Sequence, residues 1–532
     1  IDDNVLETVI NGLYKPQNSI IEYDFSLIDA DVLGNIYEQY LGHILKKTEK
    51  SSKLLDGKTH RKEQGIYYTP TYIVDYIVKN TIGEILKDKK TDINKIRILD
   101  PACGSGSFLI KAYDYLIKEQ QKRNKEYFNQ TKLDVSESEV LNYTKKLEIL
   151  KNNIFGVDLD EKAVEIAQLN LLLKSAEKKQ RLPILKNNIK VGNSLIDDPQ
   201  IAGDKAFKWE QEFPEIMTEG GFDVVIGNPP YVRQESIKEL KPYFEKKYLN
   251  VYTGTADLYV YFFEQGLSIL KEKGYFGFIV SNKFMRAKYG QKLRKYIQNN
   301  FKIIQIIDKF ENRVFKEALV DPCIIILQKQ KPEKNHKIIY NYTTNIFQNN
   351  LSENGWILTS QDILDIKKKI ETIGTPLKDW DVNIFRGITT GFNQAFIIDT
   401  ETKNKILSNC KTEEERKRTE EIIKPILRGK DIKRYYYRWA RLSLIYVPWH
   451  FPLHNDSNIS GSSKKAEEQL RTLYPSLYEH LSQYKKELSG RNKDETGIGY
   501  EWYALQRCAA TYYNEFEKEK IVWNRITDKI IF

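Results

Sequence analysis

Short runs of β-branched and apolar residues alternate with amphipathic stretches through the middle of the chain. The runs are Ile96 to Asp100, Ile154 to Asp158, Ile189 to Val191, Phe222 to Ile226, Tyr275 to Val280, Ile303 to Ile307 and Cys323 to Leu327. Between them, Lys162 to Lys174 and Tyr259 to Lys271 repeat apolar positions at helical spacing. Strand–helix alternation of this kind predicts an α/β fold with a doubly wound, mostly parallel, Rossmann-like sheet. In such sheets ligands bind beyond the carboxyl ends of the strands.

The flanks have other textures. Residues 1–62 read as a helical connector, with Val32-Leu33, Ile36-Tyr37, Tyr40-Leu41 and Ile44-Leu45 at three- and four-residue intervals. Within it, the polar stretch Lys46 to Lys62 reads as a loop. The α/β unit is expected over residues 63–335, interrupted from Lys118 to Lys151 by a long charged helical excursion. A polar bridge, Lys331-Pro332-Glu333-Lys334-Asn335-His336, leads into an expected linker over 336–375. Residues 376–532 are irregular and rich in aromatics and form a separate α+β recognition domain. It ends inside an apolar run at Phe532, so the fold is expected to be incomplete there. Ile1 in place of Met suggests the trimmed edge of a longer chain.

Composition narrows the function. A chain of 532 residues with 41% hydrophobic and 29% charged residues can bury sizeable cores, which excludes general disorder. No apolar run is long enough to span a bilayer. Cys103, Cys323, Cys410 and Cys508 lie far apart with no CxxC pair, which argues against a disulfide framework or a Cys-rich metal site and for a reducing cytoplasm. No metal is expected. The net charge of +10 is modest for this length. Its distribution says more: Arg416 to Arg441 holds ten Lys or Arg against three Asp or Glu, interleaved with Tyr435, Tyr436, Tyr437 and Trp439. Cations among aromatics suit a phosphate backbone and exposed bases.

Two motifs carry the chemistry. In Ile98-Leu99-Asp100-Pro101-Ala102-Cys103-Gly104-Ser105-Gly106, a strand ends in an acid and a small-residue turn before a helix. Glycine there lets backbone approach a ligand closely, and Asp100 can accept hydrogen bonds from an ammonium group. The next strand ends in Gly156-Val157-Asp158-Leu159-Asp160, where a carboxylate can bind ribose hydroxyls. The dinucleotide fingerprint is imperfect: a third glycine is lacking, and Asp158 lies 58 residues past Asp100. The second motif, Phe222 to Tyr231, runs from a buried strand into Asn228-Pro229-Pro230-Tyr231. The prolines fix φ and remove N–H donors. The Asn228 side-chain oxygen and the Pro229 carbonyl are then two acceptors for the hydrogens of an exocyclic amine. Holding both hydrogens favours a tetrahedral nitrogen with its lone pair aimed at an incoming methyl group, a matter of orientation and placed acceptors. Tyr231 offers a face on which a base can stack.

Together these segments resemble the gamma-class N6-adenine DNA methyltransferases, specifically the type IIG restriction-modification group with a TaqI-like specificity domain. The resemblance covers nearly all of the chain. It implies an S-adenosylmethionine-dependent methyltransferase sheet with Thr69, Pro70, Asp100, Ala102, Gly104, Gly106, Asp158 and Leu159 at the cofactor. Gly192-Asn193-Ser194-Leu195 lies where the family contacts the cofactor adenine; Asp is common there, and Asn193 takes its place. Val314-Phe315-Lys316 resembles a later motif and makes Phe315 the partner of Tyr231 in clamping an adenine flipped out of the duplex. Phe385 to Asn393 and Ile426 to Ile432 resemble the specificity domain. Arg386, Arg428, Lys430, Lys433, Arg434 and Arg438 are the candidate contacts to specific double-stranded DNA, at phosphates or guanine edges. Glu22-Tyr23-Asp24-Phe25 and Leu33 to Glu38 resemble the connector that follows a nuclease domain in the group. No PD…(D/E)xK constellation occurs in the residues given, so cleavage is not expected of them. The open alternatives are methylation of cytosine N4, RNA or a protein glutamine, and a noncatalytic DNA-specificity subunit.

Overall fold

The computed structural model describes residues 69–131, 142–177, 180–315, 321–456, 458–459, 461–491 and 499–524, with Val5, Thr8, Asn11 and a short hairpin near residue 50. That hairpin pairs Leu45–Thr48 with Ser51–Leu54, inside the stretch expected as a loop. The connector segments Glu22 to Phe25 and Leu33 to Glu38 lie outside the described residues, as do Lys316 and the last apolar run from Ile530. Two compact units divide between Ile373 and Gly374.

The first unit is a nine-stranded sheet. Its strands are β1 (Ile98–Asp100), β2 (Ile154–Asp158), β3 (Ile189–Val191), β4 (Phe222–Gly227), β5 (Leu270–Ser281), β6 (Lys302–Ile307), β7 (Pro322–Gln328), β8 (Lys337–Tyr340) and β9 (Thr344–Phe347). Their order is β3-β2-β1-β4-β5-β7-β6-β8-β9. The pairs β1–β2, β2–β3, β1–β4 and β4–β5 are parallel, and β7 runs antiparallel between β5 and β6. Strands covered on both faces read as unbroken apolar runs. Cys323 to Leu327 in β7 is fully buried, as are Val224 to Ile226 in β4. All seven runs picked out by pattern are strands of this sheet. β8 and β9 fall in the stretch expected as a linker; their antiparallel pair extends the sheet through a parallel contact of Ile339 and Tyr340 with β6.

Helices cover the faces. α1 (Thr71–Leu86) buries Ile73, Val74, Ile77, Val78 and Ile82. Close packing on β5 is enforced at Gly277, where a Cβ would meet Ile77 Cγ2 and Thr81 Cγ2 at 2.8 Å. The charged excursion contains α2 (Ser107–Thr131) and α3 (Tyr143–Asn153). α4 (Glu161–Ser175) starts at the Asp160 N-cap, which accepts from Lys162 N–H. α5 (Lys241–Lys247) follows β4. α6 (Tyr259–Ser268) stops short of the expected Lys271 because Leu270 already pairs with Phe222.

The second unit has its own core around Phe396, Ile445, Leu470, Leu477 and Tyr503. A small sheet pairs β10 (Ile397–Ile398) and β11 (Ile423–Pro425) on either side of a later strand, and β12 (Ile432–Lys433) forms a hairpin with β13 (Tyr436–Tyr437). The central strand of the small sheet is β14 (Ser443–Ile445), antiparallel to both neighbours. No helix among the described residues is long and apolar enough to cross a membrane.

Candidate active site

The chain leaves β1 toward β2 and β3, then returns to β4 on the other side of β1. This reversal opens a crevice beyond the carboxyl ends of β1 and β4. Asp100 ends β1 and is 1% exposed. Its Oδ1 accepts from the Ala102 N–H at 3.0 Å. Gly227 ends β4, and a Cβ there would lie 2.6 Å from Asp100 Oδ1. Glycine is thus what allows the carboxylate and the end of β4 to sit side by side. Asp158, at the end of β2, accepts from the Gly104 N–H at 2.8 Å and the Asp160 N–H at 2.9 Å. Burial pushes the Asp100 carboxyl up to about 8, against the Ala102 hydrogen bond, and the nearby Asp158 charge adds to the rise. Burial also raises Asp158.

The loop between β1 and α2 is pinned on several sides. Gly104 and Gly106 have φ of 50° and 90°. A Cβ on Gly106 would stand 3.1 Å from Ala167 Cβ of α4. The Cys103 N–H donates to Val157 O at 3.0 Å, and Asn170 Nδ2 to Ser105 O at 3.1 Å. Ser194 Oγ donates to Pro101 O at 2.6 Å and ties the loop after β3 to the loop after β1. Asn193 caps its own turn, accepting from the Leu195 N–H at 3.1 Å. Leu159 presents an apolar side chain that is 54% exposed. The structure therefore brings Asp100, Ala102, Gly104 and Asp158 into one bonded cluster, with Asn193 and Leu159 on the adjoining loops. Sequence reasoning missed Ser194 and Asn170. Ser194 stands beside Asn193 in the motif, but only the fold reveals its bond to Pro101.

Among the described residues neither Asp100 nor Asp158 forms an ion pair with Lys or Arg. A buried carboxylate, Asp100, and a half-buried one, Asp158, both with raised pKa values and no ion pair among the described residues, fit a positively charged ligand. S-adenosylmethionine, with its sulfonium and ammonium, has that charge, and a loop whose Gly104 N–H already serves Asp158 suits a ligand without phosphates.

Past Gly227 the chain enters Asn228-Pro229-Pro230-Tyr231. Asn228 Nδ2 donates to Thr69 Oγ1 at 2.9 Å. Thr69 is buried, and Pro70 beside it caps α1, its carbonyl accepting from the Ile73 N–H at 2.9 Å. The Tyr231 hydroxyl donates to Ile279 O at 3.2 Å. Tyr231 meets Phe315 edge to face, with centroids 6.1 Å apart and planes at 72°, and meets Tyr259 at 6.3 Å and 86°. The two aromatics expected to clamp a base are thus neighbours, but crossed. Parallel faces for a base require one ring to turn. The segment after Tyr231 is held by the Leu258 N–H on Val232 O at 3.0 Å and the Gln234 N–H on Asp257 Oδ1 at 3.1 Å. Tyr259 and Asp257 carry no motif and were not anticipated.

Residues 152–315 match the Eco57I restriction-modification methylase family, and residues 91–190 match the RMKL-like methyltransferase domain. The chain is 30% identical over 566 aligned residues to the type II restriction enzyme and methyltransferase RM.Eco57I of Escherichia coli, covering 97% of this chain and 54% of that protein. The chain is thus similar to type II restriction-modification methylases over nearly all of its length. It is also 29% identical over 371 residues to the type II methyltransferase M.BstVI of Geobacillus stearothermophilus, covering 63% of this chain and 60% of the relative. It thus spans little more than half the length of these relatives. The type IIL restriction-modification enzyme MmeI, solved in complex with DNA, shares the fold with a TM-score of 0.55 at 15% identity, over 95% of this chain and 63% of that one. S-adenosylmethionine is the cofactor expected of the methylase fold, in agreement with the charge of the crevice.

In the second unit, Lys430, Arg434, Arg438 and Arg386 are exposed and Lys433 is half-buried. Tyr435, Tyr436 and Tyr437 at the β12–β13 hairpin are 71%, 64% and 66% exposed. Arg434 lies over the Tyr435 ring at 5.2 Å. Arg428 differs from the rest. Its Nε and Nη2 both donate at 3.0 Å to Asp431, whose Oδ2 also accepts from the Arg428 N–H at 2.9 Å. This bidentate pair closes the turn before β12, so the Arg428 fork is engaged within the chain.

Proposed function

We propose that this methylase transfers a methyl group from S-adenosylmethionine to adenine N6 within a specific DNA duplex sequence, after the target base has turned out of the helix. On this reading it is a gamma-class enzyme of the type IIG group, and the second unit, TaqI-like, reads the sequence. The observation that carries the reading is the bond from Asn228 to Thr69. With Nδ2 committed to Thr69, the carboxamide is oriented to present oxygen, not nitrogen, to an amine. An acceptor suits an exocyclic NH₂; a donor would repel it.

Bound S-adenosylmethionine supplies an electrophilic methyl group on a sulfonium. The chain's own residues do the rest. Asp100 and Asp158 provide negative charge for the cofactor's cationic centres, and Leu159 an apolar surface. Asn228 Oδ1 and the Pro229 carbonyl accept the two amine hydrogens and direct the nitrogen lone pair. The contribution is orientation plus fixed dipoles where positive charge develops on nitrogen. Tyr231 and Phe315 receive the base once their rings align, which offsets part of the few kcal/mol of unstacking. The reading concerns methyl transfer only. The relative RM.Eco57I is named as a restriction enzyme as well, and that half of its name is not carried over.

The test is Asn228→Ala in the full chain, with treated DNA digested to nucleosides and analysed by mass spectrometry. The wild-type protein should yield N6-methyladenine. The variant should lose at least about a hundredfold in turnover while binding S-adenosylmethionine within a few-fold of wild type. N4-methylcytosine as the product, or undiminished turnover in the variant, would overturn the assignment.

A further inference from the structure

The carboxyl edge of the sheet is divided by charge at the point where the chain reverses between β1 and β4. On the cofactor side, Asp100 and the segments 158–162 and 192–198 hold six acids (Asp100, Asp158, Asp160, Glu161, Asp197, Asp198) against one cation, Lys162. On the other side, the segments after β4, β5 and β6 (228–236, 282–290 and 308–315) hold six cations against three acids. The segment after β5 is the extreme case: Lys283, Arg286 and Lys288, with no acid at all. Arg233 after β4 and Lys309 after β6 flank it. All five are exposed. Among the described residues none of the five lies within ion-pair distance of a carboxylate.

The acids nearby are mostly turned to protein donors. Asp308 accepts from the Tyr340 hydroxyl at 2.8 Å and Asn341 Nδ2 at 3.1 Å. Asp257 accepts from the Gln234 N–H at 3.1 Å and feels both Lys283 and Arg233. The backbone beneath the cations is firm. Ser281 Oγ accepts from the Lys283 N–H, and the buried Arg294 guanidinium donates to Ala287 O at 2.8 Å. Exposed cations with no ion pair among the described residues, on a braced loop beside β4, suit a polyanion.

We infer that Arg233, Lys283, Arg286, Lys288 and Lys309 form a phosphate seat for the DNA strand that delivers the target base to Asn228. This rests on the proposed DNA methylation and adds to it. The earlier candidate DNA contacts all lie in the second unit, whereas this surface belongs to the unit that performs the transfer. The division also has a physical logic: a sulfonium is drawn to one side of the crevice and a phosphodiester to the other.

The test compares two triple variants of the full chain that remove the same charge. One is Lys283→Gln, Arg286→Gln and Lys288→Gln. The other, Lys95→Gln, Lys151→Gln and Lys273→Gln, neutralises lysines at the opposite, amino edge of the sheet. DNA dissociation constants are measured from low to moderate salt on a duplex bearing the recognition sequence. The slope of log affinity against log salt should become shallower by about 2 to 3 for the first variant, near 0.9 per lost phosphate contact. It should be unchanged for the second. Restoring charge with Lys283→Arg, Arg286→Lys and Lys288→Arg should restore the slope, and S-adenosylmethionine titration reports intact folding. An unchanged slope in the first variant, or an equal loss in both, would overturn the seat. Product analysis of wild-type DNA tests the methylation reading separately, because the slope does not depend on which base is modified.

Discussion

Asn228 donates from Nδ2 to Thr69 Oγ1 at 2.9 Å, a contact between residues 159 positions apart. It joins the end of β4 to the entry of α1 and, on the proposed reading, makes Thr69 a positioning residue for the amide. Thr69→Val keeps the shape but removes the acceptor, leaving the amide free to turn. A buried donor left unsatisfied costs about 1–3 kcal/mol, so turnover should fall by about tenfold to a hundredfold. Thr69→Ser should keep most of it. S-adenosylmethionine affinity, followed by calorimetry, should change much less than kcat; the reverse pattern would make Thr69 a cofactor contact only.

Gly227 stands at the other critical approach. A methyl group there would press on Asp100 Oδ1 at 2.6 Å and on Asp100 Cγ at 3.1 Å. Asp100 is 1% exposed, so its carboxyl can yield only by displacing its neighbours. Gly227→Ala should therefore lower stability by about 1–3 kcal/mol, the range for overpacking, and weaken S-adenosylmethionine binding through the displaced Asp100. Thermal melting and calorimetry check the two effects. A stable variant with wild-type affinity would show that the carboxylate is not a cofactor contact.

Why some of this was readable in advance follows from burial. β4 and β7 are covered on both faces, so Val224 to Ile226 and Cys323 to Leu327 are constrained to be apolar and the runs stand out. The Asp100 loop and Asn228-Pro229-Pro230-Tyr231 were legible because their chemistry is local in sequence. β8 was not: its alternating Lys337, Ile338, Ile339 and Tyr340 has one exposed face and follows a polar bridge, so four residues of strand look like linker. The partners of the motifs were hidden as well. Thr69 and Asn228, or Ser194 and Pro101, meet only because the sheet order brings distant loops together. The charged segment 282–290 gave no signal until the carboxyl edge was defined.

The Asp100 carboxyl gives the protein a proton linkage. Burial first, and the Asp158 charge in addition, push it up to about 8, above the ordinary value near 3.9 for Asp. A carboxyl raised on folding contributes stability that is fully present below about pH 4 and is lost as pH rises toward about 8. The ligand-free protein should lose stability across that window, and Asp100→Asn should flatten the loss. A cationic ligand favours the ionised form. Binding S-adenosylmethionine near pH 7 should therefore release up to about one proton, seen as a dependence of calorimetric enthalpy on buffer ionisation heat. No proton release from the wild type, or the same release from Asp100→Asn, would contradict this assignment.

Arg428 was expected at the DNA, but its guanidinium is held by Asp431 in a bidentate pair that also accepts the Arg428 N–H. Those contacts hold the Asp431 carboxyl down at about 2, with the Arg428 side-chain bond the first cause. A depressed carboxyl contributes stability above about pH 4 and loses it only as pH falls toward 2, so the turn is closed at neutral pH. Arg428 therefore shapes the approach to β12, and on the proposed reading phosphate contact falls to its exposed neighbours. Arg428→Ala should weaken specific binding by loosening the Tyr435 hairpin, yet leave the salt slope of DNA affinity as it is. Neutralising Arg434 and Arg438 together should make that slope shallower by about 1 to 2. Asp431→Asn should resemble Arg428→Ala, since either change breaks the same pair. A shallower slope for Arg428→Ala but not for Asp431→Asn would return Arg428 to the phosphates.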